Sequence, residues 1–179
     1  NYKASPSFVS IHLGVNKRII AENFNCHHII VEDWDNLEME KGVIFISIPT
    51  LLDSSLAPEG KHIIHAFTPS SMHEWENLSR AEYLKKKEEY FLFIIQKINK
   101  IIPDIKDNID HKEIGTPKTH KKFLNRYEGS YGPIPKRKLL GLLPMPFNTT
   151  RINNLYCVGD SCFPGQGLNA VAFSGYACA

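Results

Sequence analysis

The stretch GDSCFPGQGLN, residues 159–169, gathers residue types that can hold a flat, polar ligand. Asp160 offers a carboxylate that accepts hydrogen bonds from ligand hydroxyls, and Gly159 beside it keeps a side chain out of the approach. Pro164 and Gly165 set a tight turn, and Gly167 lets backbone come close to a flat or phosphorylated group. A helix starting between Gly165 and Asn169 turns free N–H groups and its positive dipole end toward whatever sits there. A ligand with hydroxyls on one side and an electron-rich or anionic edge on the other fits this pattern. The same spacing also makes a plain tight turn into a packed helix, and one GxG does not separate the two.

Such a turn needs a strand before it and a helix after it. Leu155–Val158 reads as that strand, and the small residues Ala170, Ala172, Ser174, Gly175 and Ala177 give a helix that packs closely and runs to the last position, Ala179. Upstream, Ser7–Val15 alternates Phe8, Ser10 and His12 against Val9, Ile11 and Leu13, a strand with one apolar face. His28–Trp34 reads as a second strand. Val43–Ile48 is apolar on both faces and predicts an interior strand, and Lys61–Thr68 predicts a fourth. After Pro69 the period changes. Ser79 caps a helix with Glu82 in its first turn, and Leu84, Phe91, Ile94, Ile95, Ile98, Ile101 and Ile102 mark one apolar face over about six turns, up to Pro103. The charged run 85–89 is a solvated face at its start. Ile109–Ile114 predicts a further short strand, and residues 115–146 carry little periodicity. Neighbouring strands joined without long helices predict an antiparallel sheet with a helix packed on it, an α/β (α+β) fold, rather than a doubly wound parallel sheet.

With 42% hydrophobic and 22% charged residues the chain has a globular composition, and a net charge of +2 gives no reason to expect a nucleic-acid partner. No apolar run reaches the length of a membrane-spanning helix. Four cysteines without a CxxC pair point to buried, reduced thiols, not a disulfide framework or a zinc site, so no metal is expected. The paired His27 and His28, with His62 and His65, occupy strand positions suited to ordinary packing or hydrogen bonding. An initial Asn and an end within a predicted helix suggest a piece of a longer protein.

The run LYCVGDSCFPGQGLNAVAFSGYACA resembles the C-terminal flavin-binding motif of the carotenoid isomerase and phytoene desaturase family of flavoproteins. FISIPTLLDSSLAPEGKHIIHAFT (45–68), GTPKTHKKFLNRYEGSYGPIP (115–135) and GLLPMPFNTT (141–150) resemble carotenoid isomerases in the order expected of their C-terminal part. The resemblance implies a two-domain, FAD-dependent amine oxidase/phytoene desaturase-like fold. Residues 1–150 would be mainly substrate domain and 151–179 the C-terminal segment of the FAD domain. Gly159, Asp160, Pro164, Gly165, Gln166, Gly167, Leu168 and Asn169 are then the flavin-binding set, with Asp160 accepting from ribityl or pyrophosphate-side groups. The helix start would favour negative charge on the reduced flavin.

The N-terminal GxGxxG fingerprint for the adenosine diphosphate half of FAD does not occur here, so only part of a flavin site is expected. The implied activity is conversion of poly-cis lycopene to the all-trans form, with reduced FAD and no net redox change. The substrate would be a lipid-soluble carotenoid, reached by peripheral docking on a plastid or cyanobacterial membrane. Thr116, Thr119, His120 and Tyr131 fall in stretches implied to lie near flavin and substrate. His120 titrates near neutral pH and also suits a hydrogen-bonded loop, and no catalytic acid or base is assigned. Two sequons, at Asn77 and Asn148, are chance matches if the chain lies off the secretory path, as the resemblance implies. A carotenoid desaturase or retinoid saturase of the same fold is the rival enzyme, separated by net redox change. A non-catalytic prenyl-protein binder of the same architecture is the rival from another class, separated by flavin retention.

Overall fold

The computed structural model describes residues 2–21, 23–136 and 145–179, so residues 141–144 of the GLLPMPFNTT stretch lie outside the described part. Five strands form an antiparallel sheet: β2 (Ser7–Asn16), β3 (His27–Val31), β4 (Val43–Ser47), β5 (Lys61–Ser70) and β6 (Ile109–Gly115), in the order β3-β4-β5-β2-β6. Two short strands, β1 (Tyr2–Ala4) and β7 (Pro133–Pro135), pair separately. Three α-helices complete the described part: α1 (Arg80–Ile98), α2 (Pro117–Leu124) and α3 (Leu168–Tyr176).

Period-two alternation decides which face is buried. Val9, Ile11, Leu13 and Val15 of β2 point to one side with Ile44, Ile46, Ile64 and Ala66, and all are essentially removed from solvent. Helix α1 covers that side with Phe91, Ile94, Ile95 and Ile98. Its start is the expected capping box: Ser79 Oγ accepts from Glu82 N–H, and the Glu82 carboxylate accepts from Ser79 N–H at 2.8 Å. Beside the main core, Trp75 and Tyr90 are fully buried and both meet Ser70, with Trp75 Nε1–H donating to Ser70 Oγ at 2.9 Å. Burial and the neighbouring Glu40 carboxylate push the Tyr90 phenol well above its ordinary value.

Several expected boundaries move for local reasons. The second strand stops at Val31, because Glu32 and Asp33 both donate to the Gly42 carbonyl and the Asp33 carboxylate turns the chain onto Asp35 and Asn36. Helix α1 ends at Ile98, not at Pro103, and Ile102 reaches the core from the turn that follows. Leu84 is about half exposed, since the first turns of α1 project past the buried face.

Residues 155–158 form no strand. A single bridge, Thr149 to Tyr156, stands there, and Leu155, Tyr156 and Val158 are exposed. The backbone groups of this segment go to local partners instead of a neighbouring strand: Cys157 N–H donates to the Asn148 carbonyl at 2.8 Å, and the Leu155 and Cys157 carbonyls accept from the Thr150 and Asn148 side chains. The terminal helix begins where predicted and ends at Tyr176, short of Ala179. All four cysteines are free and only Cys162 is buried, so the buried-thiol expectation holds at that one position. Cys157 sits on the exposed surface of the same segment.

Candidate functional site

The face of the sheet opposite α1 carries the more informative pattern. Strand register lines up residues directly across neighbouring strands, and such residues share a face. One row runs His27, Ser47, His65, His12, Glu113. The next runs Ile29, Phe45, Phe67, Ser10, Gly115. An aromatic series continues from it. Phe45 stacks on Phe67 at 4.9 Å between ring centres, Phe67 meets Phe8 edge-on at 5.7 Å, and Phe8 stacks on both His120 at 4.1 Å and Tyr131 at 4.7 Å. Most of these residues, though not Glu113, Gly115 or Tyr131, floor a trough of about 640 Å³, whose wall includes His120 and Leu124 of α2.

Helix α2 was not foreseen within residues 115–146, although its start carries clear signals. Pro117 occupies the first helical position and Thr116 caps with Thr119 three residues on. Thr116 Oγ1, fully buried, also meets the Tyr83 hydroxyl at 3.0 Å. The two threonines therefore hold the helix that presents His120. A close approach fixes that histidine further, because a Cβ on Gly115 would lie 2.6 Å from Ser10 Oγ and 3.4 Å from His120 Cε1. A side chain at 115 would therefore press on the Ser10 hydroxyl and touch the His120 ring.

Of the four residues expected near substrate, His120 lines the trough, Tyr131 joins it through Phe8, and Thr116 and Thr119 cap α2. Among the described buried side-chain atoms, His120 Nε2 has no hydrogen-bond partner. Desolvation holds the His120 imidazole below its ordinary pKa, while a hydrogen bond to the Phe8 backbone opposes the shift. His65 is lowered as well, by desolvation and then by the His12 ring 4.7 Å away. An unpartnered buried nitrogen costs about 1–3 kcal/mol, so this one is a strong candidate for a functional contact. His62, by contrast, faces the core and bonds Thr50 Oγ1 at 2.7 Å, the ordinary role expected of it. Sequence reading passed over His12, Ile29, Phe45, His65 and Phe67 as a set. Their signal was there in the second face of each strand, where aromatic residues and histidines stand in place of the usual solvated ones.

The C-terminal turn is built around Ser174, which is fully buried on α3. Its Oγ accepts from Gly159 N–H at 3.1 Å and from Asn148 Nδ2 at 2.7 Å, so it ties the turn to the helix. Asn148, read in the sequence only as a sequon, also donates to the Cys157 carbonyl at 3.0 Å. Gly159 and Gly167 adopt φ of +117° and +99°, and space is open where a side chain would stand on either. Gly167 gives α3 no side-chain cap, leaving its first N–H groups open. Asp160 is engaged by the Arg126 guanidinium, at the edge of a second concavity that also includes Gly132 and Ser161. Open glycines and an uncapped helix start fit the electron-rich edge of a flavin. Among the described residues no group of His, Cys, Asp and Glu is gathered to hold a metal ion, and no helix is long and apolar enough to cross a membrane.

No protein-family model matches the chain. It is 56% identical over 99% of its length to the chloroplastic prolycopene isomerase of Arabidopsis thaliana, and 57% identical over the same share to prolycopene isomerase 2 of an Oncidium hybrid cultivar. The chain is a close relative of the plant prolycopene isomerases. It spans 30–31% of their length. A lycopene-forming phytoene desaturase from Pantoea ananas is more distant, 28% identical over 91% of this chain and 31% of its own. In fold the chain resembles the crystal structure of an oxidoreductase from Methanosarcina mazei, with a TM-score of 0.52 at 15% identity, over 98% of this chain and 34% of that one.

Proposed function

We propose that this chain is the C-terminal part of a carotenoid cis–trans isomerase, converting poly-cis lycopene to the all-trans isomer in the plastid. In this reading the open sheet face seats the hydrocarbon, and residues 159–169 form one side of an FAD site. The observation that carries it is the trough of Ile29, Phe45, Phe67 and Phe8, continuous with His120, in a chain more than half identical to prolycopene isomerases. The greater distance of the phytoene desaturase supports the isomerase over the desaturase reading.

Reduced FAD, when bound, would supply the electron density that lowers the order of a conjugated double bond so that rotation becomes fast. The chain's own residues do the rest. The aromatic row removes water from a long apolar substrate and gives it flat surfaces to lie on. His65 and His120 stay neutral near physiological pH, so the floor presents little charge to a hydrocarbon. Stacking on Phe8 at 4.1 Å holds the His120 ring at the trough wall, while its buried Nε2 has no hydrogen-bond partner. The open N–H groups at the start of α3 favour negative charge on a flavin edge, with Gly159 and Gly167 allowing close approach and Pro164, Gly165, Gln166, Leu168 and Asn169 shaping the turn.

The reading is tested with the full-length protein by placing a charge in the trough. Ile29 is 61% exposed, so Ile29→Glu keeps the core intact. Expected are an unchanged flavin spectrum, an unchanged melting curve and a loss of polyene uptake and turnover of at least tenfold, the scale set by burying one carboxylate against apolar surface. Undiminished uptake would remove the trough from the account.

A further inference from the structure

Two surfaces of this chain expose large apolar side chains, and charge separates them. In residues 152–179 Leu155, Val158, Leu168 and Phe173 are exposed, and Asp160 is the one charged side chain of that stretch. Uncharged apolar surface of this kind suits the remainder of a protein of the relatives' length. The second surface is different. Phe123, 73% exposed, stands at the edge of a concavity of about 380 Å³ lined by Arg80, Lys87, Lys118 and Lys122 together with Tyr83. Arg80 Cζ lies 5.9 Å from the Tyr83 ring centre, and Lys87 and Lys118 Nζ each lie 5.7 Å from it. Lys122 Nζ stands 5.2 Å from the Phe123 ring. No carboxylate lines this concavity, and none of the four cations is ion-paired among the described residues.

Four cations lining one concavity repel one another until an anion joins them. Protein–protein interface cores are depleted of lysine, whereas lysine beside an exposed aromatic ring is the composition of surfaces that rest on anionic lipid. We propose that this basic concavity, with Phe123 at its rim, is where the protein docks on an anionic membrane. Headgroup phosphates meet the cations, and Phe123 enters the apolar boundary. Helix α2 carries Phe123 on this surface and His120 and Leu124 in the trough. Docking therefore brings the trough within about one helix diameter, roughly 10 Å, of the lipid. The link to a lipid-soluble substrate rests on the isomerase reading, while the docking surface stands on charge and exposure.

The test uses full-length protein floated with vesicles of phosphatidylcholine, with or without phosphatidylglycerol. Binding is expected only with phosphatidylglycerol. At roughly fivefold in partition per basic residue near an anionic surface, Lys118→Ser with Lys122→Ser lowers it roughly 25-fold. Separately, a Phe123→Trp variant, read as a difference spectrum from the parent, shifts its emission to shorter wavelength on phosphatidylglycerol vesicles alone. Partition unchanged by loss of the two lysines would overturn the proposal. So would Phe123→Trp emission already at short wavelength without vesicles and unmoved by them, since the remainder of the protein would then cover this face. The tryptophan measurement stands even if the lysine pair proves necessary for folding. Turnover in detergent micelles without vesicles reads the isomerase separately, so loss of either result leaves the other standing.

Discussion

Ser174 has no reactive role in the account, yet its hydroxyl joins three pieces of the C-terminal segment: Gly159, Asn148 and the helix it stands on. Ser174→Ala takes the acceptor from the part-buried Gly159 N–H and leaves the Asn148 amide with backbone carbonyls alone, and should lower stability by about 0.5–1.5 kcal/mol in denaturant unfolding. A loss below the resolution of that measurement would mean the turn holds itself. The histidines make a prediction in pH. His62, His65 and His120 all have folded values below the ordinary 6.5, each chiefly through desolvation. The unfolded chain then takes up protons first as pH falls. Their stabilisation is complete above 6.5 and is lost as pH drops through the lower folded values. The unfolding midpoint should fall from mildly alkaline to mildly acidic pH, and His120→Gln should flatten part of that slope. At this scale the sequence was only half informative. It singled out His120 and the glycines of the turn, but an unpartnered Nε2, the Arg126–Asp160 pair and the Ser174 clamp depend on neighbours far along the chain.

Among the elements, those whose signal is local were the legible ones. The alternation in β2, the two-faced apolar run of β4 and the Ser79–Glu82 box of α1 each need only their own residues, and each is found where expected. Residues 155–158 looked equally apolar but had no partner strand among the described residues, and α2 was passed over because its cap uses Thr119 where a glutamate or glutamine is usual. The caps give a direct check. Ser79→Ala should cost about 0.5–2 kcal/mol and shorten α1 from its start, seen as faster amide exchange at residues 82 and 83. In the α1 face, Ile94 is fully buried, and Ile94→Ala should cost about 2–5 kcal/mol. A smaller value would mean the helix sits loosely on the sheet.

For the whole molecule, the sheet divides two jobs. One face, with α1, is a conventional core. The other is an aromatic and histidine-lined trough, walled by a helix whose outer side is basic. Residues 152–179 add a further surface of exposed apolar side chains with Asp160 as its one charged side chain. The measurement that tests this account most directly uses the full-length protein, loaded with FAD and held anaerobic with poly-cis lycopene. Isomer composition and polyene mass are followed with the flavin reduced and, separately, oxidised. The account predicts cis-to-trans conversion at constant mass with reduced FAD only. A mass change of two hydrogens coupled to flavin turnover, or equal conversion with oxidised FAD, would contradict it.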